Sequence, residues 1–387
     1  MKKLRIAVVV RSLKIGGMER VALSLTRAFQ DEGHDAHLIY FKYKKNHLNV
    51  DGLKSVHFWD LNKISAKTGI GFIYDIFARI LNLVIRQSYF VWNGFLTSKI
   101  FQAKLKKLEN DIGKFDLIII RGQGSFELIY SNQDSRYVQV CENILYPDQK
   151  MNFKQKIFVK LLYKDKNIAC VSDGVLKSFN ELEKEVEFSA KKSLKITNPI
   201  DIKYIQKASD EYIPDIKTPY IVNVGRLAPV KQLPLLIDAF LYIKKKYKIK
   251  HQLVLVGAGH DEENIKNKLA SLADKSIILA GSRTNPYPWI KNAELFVLSS
   301  KHEGLGMVLL EALACKTNLV VTKSKGGVVD IMKNELESLL CEQNIESLGE
   351  KIYEQITTPQ DIDFDKHLEE FLPQNITNKY IKNFYEV

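Results

Sequence analysis

Ser299–Cys315 reads SSKHEGLGMVLLEALAC. It opens as a loop that holds Glu303, passes through the small, bendable Gly304-Leu305-Gly306, and continues from Met307 as an apolar helix. A second acid, Glu311, stands in that helix among Leu309, Leu310, Ala312 and Leu313. A carboxylate among oily neighbours is costly to bury unless something hydrogen-bonds it. Between the two acids lie a glycine-rich turn and a helix start, whose backbone N–H groups attract anions, phosphate in particular. One short segment thus offers a hydroxyl-binding acid, an anion-binding helix start and a second hydroxyl-binding acid. That set suits a hexose, a diphosphate and a ribose, the parts of a sugar nucleotide.

Outward from this segment the second half of the chain alternates short apolar runs with helical patterns. Strands are expected at Tyr220–Val224, Gln252–Val256, 276–280, Leu295–Leu298 and 318–322. The first half does the same: a strand at 4–10, a glycine-containing turn at 12–17, a helix at 18–30 ended by Gly33, and a strand at 36–41. Further buried strands are expected at 117–120, Tyr137–Cys141 and 168–171. Strand–helix–strand units in this order build parallel sheets, so the fold class is α/β with two doubly wound Rossmann-like domains. The linker is expected near 197–219, a stretch with three prolines and weak periodicity.

The E-x7-E spacing of Glu303 and Glu311 resembles the signature of the retaining glycosyltransferases of the GT-B fold, family 4 in particular. Three further runs carry the same resemblance in order: YIVNVGRLAPVKQLPLLIDAF from Tyr220, HQLVLVGAGHDEENIKNKLASL from His251, and IILAGSRTNPYPWIKNAELFVLSS from Ile277. Gly326-Gly327-Val328-Val329-Asp330 stands where the family often has Gly-Gly-x-x-Glu. The resemblance is strong over about 220–340 and weaker in the N-terminal half. It implies two Rossmann-like domains facing across a cleft: an acceptor-binding domain over 1–200, a nucleotide-sugar domain over 201–370, and a helix over 371–387 that crosses back. It implies retaining, metal-independent transfer of a hexose or N-acetylhexosamine from a nucleotide sugar, UDP-linked, to a lipid-linked glycan or lipopolysaccharide acceptor in surface polysaccharide synthesis. Arg226 and Lys231 then neutralise the leaving diphosphate, as fixed cations do in place of a metal. Glu303 holds the donor hexose and Glu311 the ribose. Gly304, Leu305, Gly306 and Met307 contribute backbone contacts, Gly16 and Gly17 face the diphosphate, and Arg283 lies by the base.

Where many members carry a histidine near the sugar, this chain reads Cys141-Glu142-Asn143, so Glu142 or Asn143 is expected to take over that contact on the acceptor and sugar side. Asp361-Ile362-Asp363 is literally D-x-D, but in a polar tail with no strand before it; it reads as solvated charge, and no metal or other cofactor is expected.

Composition sets the outer limits. Length and a 45% hydrophobic content suit a two-domain globular chain. Four scattered cysteines with no C-x-x-C pair fit a reduced compartment without structural zinc. The apolar run at 6–10 is cut by Arg11 and reads as a strand rather than a secretory leader, so a cytoplasmic placement is expected. Residues 1–200 carry 33 Lys and Arg against 20 Asp and Glu, whereas 201–387 carry 24 against 25. The whole positive excess therefore lies in the first half, which attracts anionic lipid or phosphorylated acceptors. No nucleic-acid module accompanies that charge, so nucleic acid is not an expected partner.

Residues 71–96 are the most apolar region. Ile73, Ile76, Phe77, Ile80, Leu81 and Val84 fall on one helical face. The favoured reading packs that face on the first sheet; the other lays it on a membrane, helped by Tyr89, Phe90, Trp92 and Phe95. Among rivals, a GT-B sugar-nucleotide epimerase would bind the donor without an acceptor. A dehydrogenase would need G-x-G-x-x-G where this chain has Lys14-Ile15-Gly16-Gly17-Met18-Glu19. A non-enzymatic membrane-binding module would leave the E-x7-E segment idle.

Overall fold

The structure is a computed structural model that describes residues 2–14, 16–43, 48–86, 88–145, 151–272 and 274–385. Residues 1–199 with 373–387 form one compact unit, and 200–372 form a second.

The first unit begins with β1 (Arg5–Ser12), whose Ile6–Val10 stretch is wholly buried because it is flanked by strands on both sides and covered by helices. A helix, α1 (Gly17–Asp31), follows and buries Val21, Ala22, Leu25, Ala28 and Phe29, the stripe that 3.6-residue spacing predicts. Then come β2 (Asp35–Lys42), β3 (Val56–Phe58), α2 (Leu61–Ala66), α3 (Gly69–Val84) and α4 (Tyr89–Ile112). After them come β4 (Leu117–Arg121), α5 (Gln123–Ile129), β5 (Tyr137–Cys141), α6 (Phe153–Tyr163), β6 (Asn167–Cys170), α7 (Asp173–Val186) and β7 (Lys192–Lys195). Among the described residues the sheet has seven parallel strands in the order β3-β2-β1-β4-β5-β6-β7. Val8 at its centre pairs with Leu38 on one side and Ile119 on the other.

The second unit opens with α8 (Ile202–Ser209), then β8 (Tyr220–Val224), α9 (Leu233–Tyr247), β9 (Gln252–Val256), α10 (Glu262–Leu272), β10 (Ile277–Gly281), α11 (Tyr287–Lys291) and β11 (Leu295–Leu298). It continues through β12 (His302–Glu303), α12 (Met307–Ala314), β13 (Leu319–Thr322), β14 (Lys325–Gly326), α13 (Val328–Ile331), β15 (Leu340–Cys341), α14 (Ile345–Thr357) and α15 (Phe364–Leu368). Among the described residues six parallel strands run β10-β9-β8-β11-β13-β15, and β12 pairs separately with β14. The core beneath is built from Ile221, Leu236, Phe240, Leu253, Leu255 and Val297. The last helix, α16 (Pro373–Phe384), belongs to the first unit: Ile376, Tyr380 and Ile381 are buried, and Thr377 donates to Glu32 at the end of α1.

One expectation fails. Residues 71–96 do not form one helix whose apolar face lies on the sheet. Two helices, α3 and α4, occupy the stretch, and Ile73, Ile76, Phe77, Ile80 and Val84 are exposed while Leu81 is half-buried. The face that α3 turns inward is Gly71, Asp75, Ala78 and Asn82, because close packing on α2 and α4 needs small side chains and Tyr89 needs polar partners. The Tyr89 hydroxyl donates to Asp75 Oδ1 at 2.6 Å and its backbone N–H to Asn82 Oδ1 at 3.0 Å.

At the carboxyl end of the second sheet the loops touch backbone to backbone, and glycine makes that contact feasible. Gly257 has φ +152°, and a Cβ there would come within 1.8 Å of the Gly225 carbonyl oxygen; one at Gly259 would come within 2.0 Å of that of Leu227. Gly257→Ala is therefore expected to destabilise the second unit by about 1–3 kcal/mol or more. Urea unfolding of wild type and variant checks this, and equal midpoints refute the close approach.

Candidate active site

The site in the second unit is assembled from loops at the carboxyl ends of β8, β11 and β13, where open α/β sheets bind ligands. After β8 the chain turns through Gly225 and Arg226, and the 3-10 turn Pro229–Lys231 delivers Lys231. The Lys231 backbone is tied down: its carbonyl accepts from Ser299 Oγ at 2.8 Å, and the Val230 carbonyl accepts from the Lys301 N–H at 2.8 Å. The Lys231 side chain returns over Gly225, to which its Cε would stand 3.8 Å from an added Cβ. Its ammonium meets Glu303 Oε1 at 2.5 Å, with side-chain exposures of 18% and 13%. Ser300 Oγ donates to the same oxygen at 2.6 Å. Glu303 is itself held by β12, paired with Gly326, and its carbonyl accepts from the Gly327 N–H at 3.1 Å.

Gly304, Leu305 and Gly306 are buried, and Gly306 takes φ +94° as the residue that starts α12. Among the described residues no side chain caps that start. Met307 and Glu311 are half-buried on α12, and Glu311 Oε1 lies 3.5 Å from the Tyr287 hydroxyl. Asp330, read as the family's acid, is buried on α13 behind the Gly326-Gly327 turn. Arg226 and Arg283 are both exposed, and the Arg283 guanidinium stacks over Trp289 at 5.2 Å. The structure thus brings Lys231 and Glu303 into contact, which the sequence reading did not foresee. Asp363 of the D-x-D is spent as the N-cap of α15, accepting from the Lys366 N–H.

The first unit presents a second constellation. Gly16 precedes α1 in an extended conformation and Gly17 is exposed at its first position. Glu19 folds back against Gly16: a Cβ there would sit 2.5 Å from Glu19 Oε2. Burial pushes the Glu19 carboxyl up, opposed by its own backbone N–H and by Lys14. Glu142 and Asn143, just beyond β5, line a cavity of about 240 Å³ together with Met18, Gly122, Gln123 and Phe126. Glu142 pairs with Arg121, which is fully buried at the end of β4, and accepts from Asn198 Nδ2 at 3.3 Å. Arg121 Nη2 in turn donates to Asn198 Oδ1 at 2.7 Å. Burial raises the Glu142 carboxyl while Arg121 pulls it down.

Three polar residues here escaped the sequence reading. Arg121 was signalled by a lone charge closing the apolar strand LIIIR, and Glu19 by an acid in the first turn of a glycine-started helix. Asn198 carried no local signal.

Residues 205–370 match the family described as glycosyl transferases group 1. An uncharacterized glycosyltransferase of Haemophilus influenzae is 23% identical over 337 residues, spanning 85% of this chain and 83% of its own length. The N-acetylgalactosamine-N,N'-diacetylbacillosaminyl-diphospho-undecaprenol 4-alpha-N-acetylgalactosaminyltransferase of Campylobacter jejuni is 27% identical over 262 residues, 65% of this chain and 70% of its own. The Anabaena HepE protein in complex with UDP and glucose superposes with a TM-score of 0.71 at 16% identity, over 99% of this chain and 100% of its own, which shows the fold.

The Glu19 carboxyl yields a signed expectation. Its folded pKa lies above the unfolded one, so its charging opposes folding once the pH has risen through that range. Glu19→Gln is expected to raise the melting temperature at pH 7.5 and to lose that advantage near pH 4. A variant equally stable to wild type at both pH values refutes the buried, costly carboxylate.

Proposed function

We propose that this chain, a glycosyltransferase of the GT-B fold whose residues 205–370 belong to glycosyl transferases group 1, moves a hexose or N-acetylhexosamine from a UDP-sugar to a lipid-linked glycan or lipopolysaccharide acceptor. The observation that carries the reading is the Lys231–Glu303 pair, fixed by backbone ties beside the uncapped start of α12. In this reading the diphosphate lies against Lys231, Arg226 and the N–H groups of Gly304–Met307, where cations and oriented dipoles neutralise charge that grows on the leaving group. Glu303, already partnered by Lys231 and Ser300, takes hexose hydroxyls; Glu311 takes the ribose, and Arg283 with its loop lies by the base.

The transfer is retaining and needs no metal. The bond from the anomeric carbon to the diphosphate oxygen breaks, a bond to the acceptor oxygen forms on the same face, and the acceptor proton passes to the departing phosphate oxygen. Gly16 and Gly17 serve the diphosphate, and Glu142 or Asn143 serves the acceptor and sugar side. Support for a lipid-linked acceptor comes from the diphospho-undecaprenol in the name of the Campylobacter relative. Such an acceptor sits at the inner face of the cytoplasmic membrane, where the enzyme works as a peripheral protein. Among the described residues no helix is long and apolar enough to cross a membrane.

Thermal shift with UDP, GDP, ADP and NAD, each in excess EDTA, tests the donor side. At about 100 times its dissociation constant a ligand adds about 2.7 kcal/mol, a shift of a few degrees. UDP is expected to stabilise wild type without metal and Glu311→Ala less. Lys231→Ala is expected to lower turnover about a hundredfold with the UDP-sugar. Stabilisation by NAD alone, a divalent-ion requirement, or an inverted anomeric configuration in the product by NMR would sink the reading.

A further inference from the structure

A surface helix normally turns its apolar stripe to the core and its polar side to water. Helix α3 is inverted. Its inward face is Gly71, Asp75, Ala78 and Asn82, and its outward residues are Ile70, Phe72, Ile73, Ile76, Phe77, Ile80, Leu83 and Val84. Ile70 is 82% exposed and Leu83 79%. Phe95 on α4 is exposed with Lys99 over its ring, and α6, which meets α4 through Phe90 and Phe158, adds exposed Phe153 and Ile157 beside Lys154 and Lys156. Exposed apolar surface on this scale marks an interaction site.

Charge selects the occupant. Helices α2 to α4, residues 61–112, carry Lys63, Lys67, Arg79, Arg86, Lys99, Lys104, Lys106 and Lys107 against the acids Asp75, Glu109 and Asp111. A second copy docked face to face would bring two such basic surfaces together, and like charges oppose that. A surface that is apolar within and negative at its rim accepts both features at once. We propose that α3 lies in the headgroup zone of an anionic lipid bilayer, with its isoleucine, phenylalanine and leucine side chains inserted and the flanking lysines and arginines on lipid phosphates. At 16 residues it is about 24 Å long, the form of a helix that lies on a membrane rather than spanning it. The inference rests on the reading of a membrane-borne acceptor and names the surface by which the protein reaches it.

Sedimentation with phosphatidylcholine vesicles, with and without phosphatidylglycerol, tests it on the full chain. Wild type is expected to partition onto the phosphatidylglycerol vesicles, with high salt removing only part of the binding. Ile73→Gln combined with Ile80→Gln is expected to cut partitioning at least ~tenfold, since two inserted side chains are lost. Both positions are exposed, so melting temperature and the UDP shift should match wild type, which separates this test from that of the donor site. Failure of wild type to bind anionic vesicles overturns the proposal. So does unchanged binding by the double variant, or a wild-type dimer in solution that the double variant abolishes.

Discussion

The ion pair between Lys231 and Glu303 is the contact on which the proposed chemistry of the second unit depends. The two residues are 72 apart in sequence, and nothing in either local segment would hold them together. An exposed Lys–Glu pair contributes about 0–1 kcal/mol, too little to position two flexible side chains. Here the order comes from the backbone. Ser299 and Lys301 fasten the Lys231 turn, Gly327 fastens Glu303, and the whole turn rests on the 257–259 loop through contacts that only glycine permits. The side chains inherit a geometry fixed by main-chain bonds. A partly desolvated ammonium placed this way has more to gain from a diphosphate than one free in water, because its neighbouring dipoles need not reorganise.

The first unit fixes its charges differently. Arg121 is fully enclosed at a strand end, and an arginine so placed must be paired to be tolerated. Glu142 supplies the negative charge, and Asn198 bridges the two. That commitment separates Glu142 from its neighbour Asn143. Glu142 lines the cavity but is held by Arg121, so any sugar that meets it meets an oriented, partly satisfied carboxylate. Asn143 is exposed and is the more adaptable of the pair.

What the sequence made legible follows the same division. The central strands were plain, since five-residue runs such as LIIIR and QLVLV are buried on both faces and need no alternation. The edge strands VHF, KSLK and LC were not, because an edge strand is half-covered and short, and it takes its pairing from a neighbour rather than from its own pattern. The E-x7-E acids were legible as acids in an oily setting, yet the partner of Glu303 was not, since pairing across 72 residues is decided by loop backbones. For α3 the periodicity was readable and its direction was not. A stripe at helical spacing says that one face differs from the other, and leaves open which of the two the protein covers.

That orientation has a physical cause within the chain itself. Rotating α3 by half a turn would bury its isoleucines and phenylalanines, each worth about 1.5–3 kcal/mol when fully enclosed. It would also break the bonds from the Tyr89 hydroxyl to Asp75 and from the Tyr89 N–H to Asn82, and put bulky side chains where Gly71 and Ala78 allow close approach. A Cβ on Gly71 would already come within 2.2 Å of the Ser65 carbonyl oxygen. Burial, reinforced by the contact with Asp75, pushes the Tyr89 phenol up to about 12, so the hydroxyl stays protonated as the donor across the physiological range. Polar and steric constraints on the inner face thus oppose the rotation that would recover apolar burial. The apolar face is left outward by specific contacts, and an environment less polar than water completes it.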